Sequence, residues 1–481
     1  MDTRANVRGR QVHPRLRLAV VAAAALVAAA VCSASHATPP PVTWCGSLPS
    51  PTDRPDIVGG DQIHVIYASP SDSPDRFSSV ASAITTDLNA INTWWKRQDP
   101  TRAPRFDYAA LGCTGFGSLD ISDVKLAHDT AFYNQPGTQR LSLLRDDLVA
   151  AGFTDPAKKY LVYYDQAQPS TSMECGNAYV SAHSGGTDGY ASVYIAPNLE
   201  GSGAARGCGS IEASAPRGGF LAVVAAHELI NGLGALDTAT PGPPHRCPGD
   251  VFHVCDSNLD VLYPTPAATT IDAAILDFGH DDYYAHSGSW WDVQDSPWLR
   301  HLDVPEVKLH ITVGAGGASV AALDQPGVSC AAGASCTWSW DAGSSVNLSA
   351  TAAAGYRFAR WTGCPTVNGA ICSVSVAAAM KVGAVFVRPL TAKSFHLSFV
   401  RQPPQLTAAI RLSHRVGGYA DSIGCSFAGQ PVAATVLRSD LASCMWTLPS
   451  RFRGHRLHGV VELDLKGETV LTKSFHVVVP R

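Results

Sequence analysis

Near the middle of this 481-residue chain, His227 and Glu228 interrupt an apolar run that extends from Phe220 to Leu236. In an H-E-x-x-H helix the two histidines lie four residues apart, so one face offers both imidazoles to a zinc ion while the glutamate polarises the bound water. Here Asn231 stands where the second histidine belongs. Gly234 then allows the helix to break, and Asp237 follows at the spacing of a third ligand, giving H-E-x-x-N-x-x-G-x-x-D. The expected metal set is His227, Asn231 and Asp237, with His245 just beyond as a further imidazole, and the expected catalytic group is Glu228. An amide oxygen is a poorer zinc ligand than an imidazole nitrogen, and catalytic zinc normally keeps three protein ligands plus water. Asn231 therefore weakens the site unless Asp237 or His245 compensates. The competing reading is a polar pair at a groove that holds no metal.

Further along, Asp260-Val261-Leu262-Tyr263-Pro264 occupies the place where metzincin-like enzymes turn beneath the metal, usually on a methionine, a resemblance in which Leu262 would be the apolar substitute; the alternative is the end of a core strand. Asp281, Asp282, Asp292 and Asp295 lie among aromatics and supply the oxygen ligands that calcium takes. The alternative for them is a hydrogen-bonded aromatic lid. Other chemistries have little support: Ser214 and Ser287 have small neighbours, yet the chain contains no G-x-S-x-G elbow and no phosphate-binding P-loop.

The elements that must position these groups alternate between strands and helices up to about residue 305. Ile63 to Tyr67 is strand-like, and Phe77, Val80, Ile84, Leu88, Ile91 and Trp94 then recur at helical spacing along one apolar face. A second helix is expected from Gln139 to Ala151, stopped by Gly152, followed by strands at Tyr160–Tyr164 and Tyr190–Ile195. From about residue 306 the pattern changes to short strands with turn residues and no helix, which marks an all-β module of roughly 80 residues. A further β-rich segment, Ser394 to Pro480, reads as a small sandwich.

Composition limits the partners. Charged residues make up 16% and the formal net charge is -4, so there is no basic excess to attract nucleic acid. At the N-terminus Arg10, Arg15 and Arg17 precede the apolar stretch Leu18 to Cys32 and the small-residue site Ser35-His36-Ala37, which reads as a cleaved signal peptide. The stretch is shorter than the roughly 20 residues needed to span a bilayer, which disfavours a retained anchor. Val31 likewise disfavours a lipid link at Cys32. Of the 13 cysteines, Cys32 leaves with the signal peptide, and the remaining even set implies disulfides outside the cell. Proximity suggests Cys247–Cys255, Cys330–Cys336, Cys364–Cys372 and Cys425–Cys444, with Cys45–Cys113 and Cys175–Cys208 by elimination. Zinc-binding thiols are disfavoured because no C-x-x-C pair occurs.

With Trp44-Cys45-Gly46, Ala226-His227-Glu228-Leu229, Leu233-Gly234-Ala235, Pro244-His245, Leu276 to Tyr284 and Trp290 to Leu299, the chain resembles a family of secreted bacterial zincin-like metallopeptidases. More loosely, it is similar to small extracellular neutral proteases carrying H-E-x-x-H-x-x-G-x-x-D. The resemblance covers roughly residues 44 to 303, and Asn231 departs from it. Cys330, Cys336, Asp341-Ala342-Gly343, Ala354-Gly355-Tyr356-Arg357-Phe358, Trp361-Thr362-Gly363-Cys364 and Cys372 carry a second resemblance, to divergent internalin-type B-repeat domains of bacterial surface proteins. The expected architecture is multidomain. A signal peptide (1–37) precedes an α+β zincin-like domain (38–305), then two small all-β domains, B-repeat-like (306–390) and sandwich-like (391–481). The resemblances imply a secreted or cell-surface protein, either a weak or inactive zinc peptidase or a binding protein that uses its β modules. Its partner would be an extracellular peptide, protein or cell-envelope component.

Overall fold

The computed structural model describes residues 42–46, 49–112, 118–135, 139–166, 174–195, 208–214, 218–236, 242–417, 419–465 and 467–481. The expected signal peptide, Cys113 and Asp237 lie outside the described residues.

The first domain is built on a five-stranded sheet. Strand β1 (Gln62–Ser69) pairs in parallel with β2 (Ile121–Lys125) and β3 (Lys158–Tyr164). Strand β3 is parallel to β5 (Tyr190–Tyr194), and β4 (Gly176–Ala178) closes the edge antiparallel to β5, giving the order β2-β1-β3-β5-β4. Helices cover both faces, which is why β1, β3 and β5 are buried along their whole length. On one face α1 (Phe77–Gln98) and α3 (Phe220–Gly232) share a core with Ile63, Val65, Leu161 and Val193. On the other, α2 (Arg140–Ala150) packs Leu141, Leu144 and Leu148 against Tyr160, Val162 and Tyr194.

Helix α1 follows its sequence closely. The six apolar residues at three- and four-residue spacing are all buried, and Lys96 and Arg97 occupy the last turn, where positive charge suits the helix dipole. Helix α3 is apolar nearly all round and correspondingly buried all round. It ends at Gly232, short of the apolar run's end at Leu236. The chain turns at Gly234, whose φ is +96° and where a Cβ would lie 2.4 Å from the backbone of Ala182. Only glycine fits that crossing.

The second domain contains two antiparallel-rich sheets. Its strands are β6 (Glu306–Val313), β7 (Gly317–Ala322), β8 (Gln325–Ala331), β9 (Ser335–Asp341), β10 (Ser344–Ala352), β11 (Arg357–Thr362), β12 (Thr366–Asn368), β13 (Ile371–Val376) and β14 (Met380–Val387). The sheet orders are β9-β6-β14-β11 and β8-β7-β10-β13-β12. The third domain adds β15 (Ala392–Arg401), β16 (Pro404–Leu412), β17 (Ser422–Phe427), β18 (Val432–Arg438), β19 (Leu441–Thr447), β20 (Arg456–Leu465) and β21 (Glu468–Val478) in sheets β15-β16-β19-β18 and β17-β20-β21. Cys247–Cys255, Cys330–Cys336, Cys364–Cys372 and Cys425–Cys444 are disulfides, as proximity suggested, and so is Cys175–Cys208, which elimination left.

The domains are joined by more than linkers. Segment Ile57–Gly59 runs alongside β9: Gly59 N donates to Ser339 O (2.7 Å) and Ser339 N donates to Ile57 O (2.8 Å). Gly59 also lies against the Trp340 ring, and Arg105 pairs with Asp341 at 2.6 Å. Between the second and third domains, Arg388 lies over the rings of Tyr356 and Tyr419, and Arg360 pairs with Glu468.

Candidate functional site

Helix α3 presents His227, Glu228 and Asn231, all buried, to a cleft of ≈ 670 Å³. Edge strand β4, preceded by Glu174 and Cys175, forms the opposite wall. Phe252, His253 and the stretch 264–267 form a third side. The Cys175–Cys208 bridge anchors β4 where it enters the sheet. Glu228 lies directly against that strand, so a Cβ on Gly176 would meet Glu228 Cγ and Ser192 O at 2.6 Å each.

His227 donates from Nδ1 to Val261 O at 2.7 Å, because a carbonyl can only accept. This leaves Nε2 as the lone-pair nitrogen. The turn that offers Val261 is built on buried Asp260, whose carboxylate accepts from Leu262 N (2.7 Å), Phe278 N (2.7 Å) and Tyr283 Oη (2.9 Å). Burial raises the Asp260 pKa to about 7 against those hydrogen bonds. Leu262 is fully buried beside this turn.

A second imidazole stands next to the first. The His253 ring centroid is 5.1 Å from that of His227, and His253 Nδ1 donates to Asp250 Oδ2 at 2.6 Å, again leaving Nε2 as the lone-pair nitrogen. His253 lies in a small hairpin closed by Cys247–Cys255, in which Cys247 N donates to His253 O (2.9 Å). Sequence reasoning points to this loop through His245 and passes over His253. The available signal was its place between the two bridged cysteines, directly after an acidic turn.

Burial, then His253, lowers the His227 pKa to about 4, which keeps the ring neutral. Burial and the nearby Glu174 hold Glu228 well above the usual carboxylate range. Asn231 Oδ1 is buried with no hydrogen-bond partner among the described residues.

The structure assembles only part of the ligand set expected from the sequence. His227, Glu228 and Asn231 share the cleft, whereas Asp237 lies outside the described residues. His245 does not line the cleft. Its backbone N and Nδ1 contact Asp282 Oδ1 and Oδ2 at 2.9 and 3.2 Å, with Asp281 Oδ1 at 3.7 Å. The cause is the hairpin itself: Cys255 N holds His245 O at the hairpin's open end, while His253 takes the position facing α3. His245, Asp256, Asp281 and Asp282 form a compact group, with ligand atoms within 4.8 Å of one another. Asp292 is committed to loop amides, accepting from Ala285 N (2.9 Å), His286 N (3.0 Å) and Gln294 N (2.9 Å).

A Ser–His–Asp chain also occurs on the sheet. Ser122 Oγ is 2.9 Å from His64 Nε2, and His64 Nδ1 is 2.7 Å from Asp107 Oδ2. All three residues are buried. Burial opposes charge on His64, but Asp53 and Asp107 outweigh it and raise its pKa. Lys158 Nζ joins Asp53 (2.6 Å), Asp56 (2.7 Å) and Asp107 (2.7 Å), making the group a buried ion network that ties the 53–56 segment to the sheet.

Among known proteins, the model of the divergent InlB B-repeat domain family matches residues 327–389. Two crystal structures of DUF3823 family proteins also align. One, from Bacteroides ovatus ATCC 8483, is 12% identical, with 36% of this chain and 100% of that chain covered and a TM-score of 0.16. The other, from Parabacteroides merdae ATCC 43184, is 10% identical, covering 36% and 99%, with a TM-score of 0.16. No curated protein matches.

Proposed function

We propose that the α3 cleft is the site of an exported, zincin-like peptidase with a weakened metal position. His227 and His253 would hold zinc through Nε2, Asn231 would add its amide oxygen, and Glu228 would manage the proton of the attacking water. The observation that carries this reading is the pair of neighbouring imidazoles, each with Nδ1 bound to an acceptor, which is the arrangement that orients metal-ligating histidines. Asn231 Oδ1, buried and without a hydrogen-bond partner among the described residues, would complete a set of three protein ligands, with the amide as its poorest member. Zinc bound there would polarise a peptide carbonyl and acidify water. A cation beside Glu228 also favours its carboxylate form, which is the form that accepts a proton. Strand β4 is an unshared sheet edge along the cleft, and such an edge can pair with an extended peptide; Phe220, Val223, Val224 and Phe252 offer its side chains an apolar wall. The disulfides fit an oxidising compartment, and no helix among the described residues is long and apolar enough to cross a membrane.

The test is zinc uptake by the full chain, measured by dialysis and elemental analysis, together with hydrolysis of a casein-type substrate. Wild type should bind zinc weakly, N231H should bind it more tightly and cut faster, and E228Q should keep zinc without hydrolysis. Absence of zinc in both wild type and folded N231H would reject the reading. The second reading, a non-catalytic surface-binding protein, is favoured by the B-repeat match at 327–389. It predicts that full-length E228Q is retained on cell envelopes as well as wild type.

A further inference from the structure

The third domain carries a histidine pair unrelated to the cleft. His458 on β20 and His476 on β21 are direct cross-strand partners, with ring centroids 4.8 Å apart and planes inclined at 46°. Strand alternation explains their setting. Val461, Leu463 and Phe475 face the domain core, while His458, Glu462, Ser474 and His476 occupy the exposed face. No side-chain hydrogen bond among the described residues engages either ring. The register of the β20–β21 ladder is continuous on both sides of the pair, from Arg456↔Val478 to Leu463↔Leu471. Backbone pairing therefore fixes both Cβ positions before any ligand arrives.

We infer that His458 and His476 form a two-imidazole chelate for a first-row divalent cation, with water completing the coordination. Imidazole nitrogen suits copper, nickel and zinc, and the general affinity order for such sites places Cu²⁺ first. Calcium and magnesium are excluded as ligands because they take oxygen. Preorganisation gives a surface site its affinity here: the two donors are already adjacent, so only rotation about the side-chain bonds is lost on binding. The cation bridges neighbouring strands of one sheet, so occupancy also strengthens the β20–β21 pairing and should protect it from opening.

The experiment is a Cu²⁺ titration of the full-length protein followed by electron paramagnetic resonance, compared with H458Q/H476Q and with H253Q as a control for the cleft. Wild type and H253Q should share a copper signal whose nitrogen hyperfine structure reports two imidazoles. Because the cleft imidazoles can also take copper, H458Q/H476Q is compared in the H253Q background, where it should lose that signal and one bound equivalent while keeping the metal-free melting temperature of H253Q. A copper stoichiometry and spectrum unchanged by H458Q/H476Q in that background would overturn the inference. So would a signal lost in H253Q and kept in the double variant. The single variants H458A and H476A serve if the double variant is poorly folded, each being expected to change the hyperfine pattern from two nitrogens to one.

Discussion

In the proposed zinc site, position 231 would be decisive, because an amide there would leave two imidazoles to carry a ligand set that ordinarily has three strong donors. The partners of those imidazoles then matter more. Asp250→Asn removes the carboxylate that fixes the His253 tautomer, and zinc affinity should fall by about 10–100-fold in a competition titration with a chromophoric chelator. Gly176→Ala should push Glu228 out of its niche and strain β5 through Ser192 O. A thermal melt should show a loss of roughly 1–3 kcal/mol, with hydrolysis reduced further than stability alone explains. The motif residues were legible because helical spacing alone places His227, Glu228 and Asn231 on neighbouring positions of α3. His253 was not, because its approach to His227 depends on how a hairpin closes across a bridge, and no periodicity in the sequence encodes that. His245 has a similar composition around it and ends at Asp282.

Among the elements, α1 and α3 were readable and β4 was not. Eleven buried positions on α1 repeat at helical spacing, whereas β4 is three residues long, with only Gly-Asn-Ala to announce it. Its placement comes from β5 and from the Cys175–Cys208 bridge. Helix α1 also contains a pH-sensitive element. Asp87 is fully buried against Tyr163, and burial raises its pKa to about 7 although the Tyr163 hydroxyl donates to it. In the unfolded chain the same carboxyl ionises near its ordinary value, so between roughly pH 4 and pH 7 the folded state binds the extra proton and loses stability as pH rises. Asp87→Asn removes this term. The variant should gain on the order of 4 kcal/mol relative to wild type on going from pH 4 to pH 8, read from denaturant melts at the two pH values.

At the scale of the whole molecule, the change from mixed elements to short strands near residue 306 is visible in composition, but the contact between Ile57–Gly59 and β9 is not. It joins residues that are distant in sequence through backbone groups, which carry no side-chain signature. Gly59→Val would drive a side chain into the Trp340 ring, against which even a Cβ would lie at 2.3 Å. Calorimetry should then show the first and second domains melting separately, where wild type should give one coupled transition. Strand addition also fixes an order of events. The amide of Gly59 is made early in synthesis, yet its acceptor, Ser339 O, belongs to a strand made much later. During synthesis, the rim of the first domain must therefore wait with an open edge until the second domain has been made. A chain stalled before β9 would expose that edge to other nascent copies, so the rim of the first domain is completed only by a module made later.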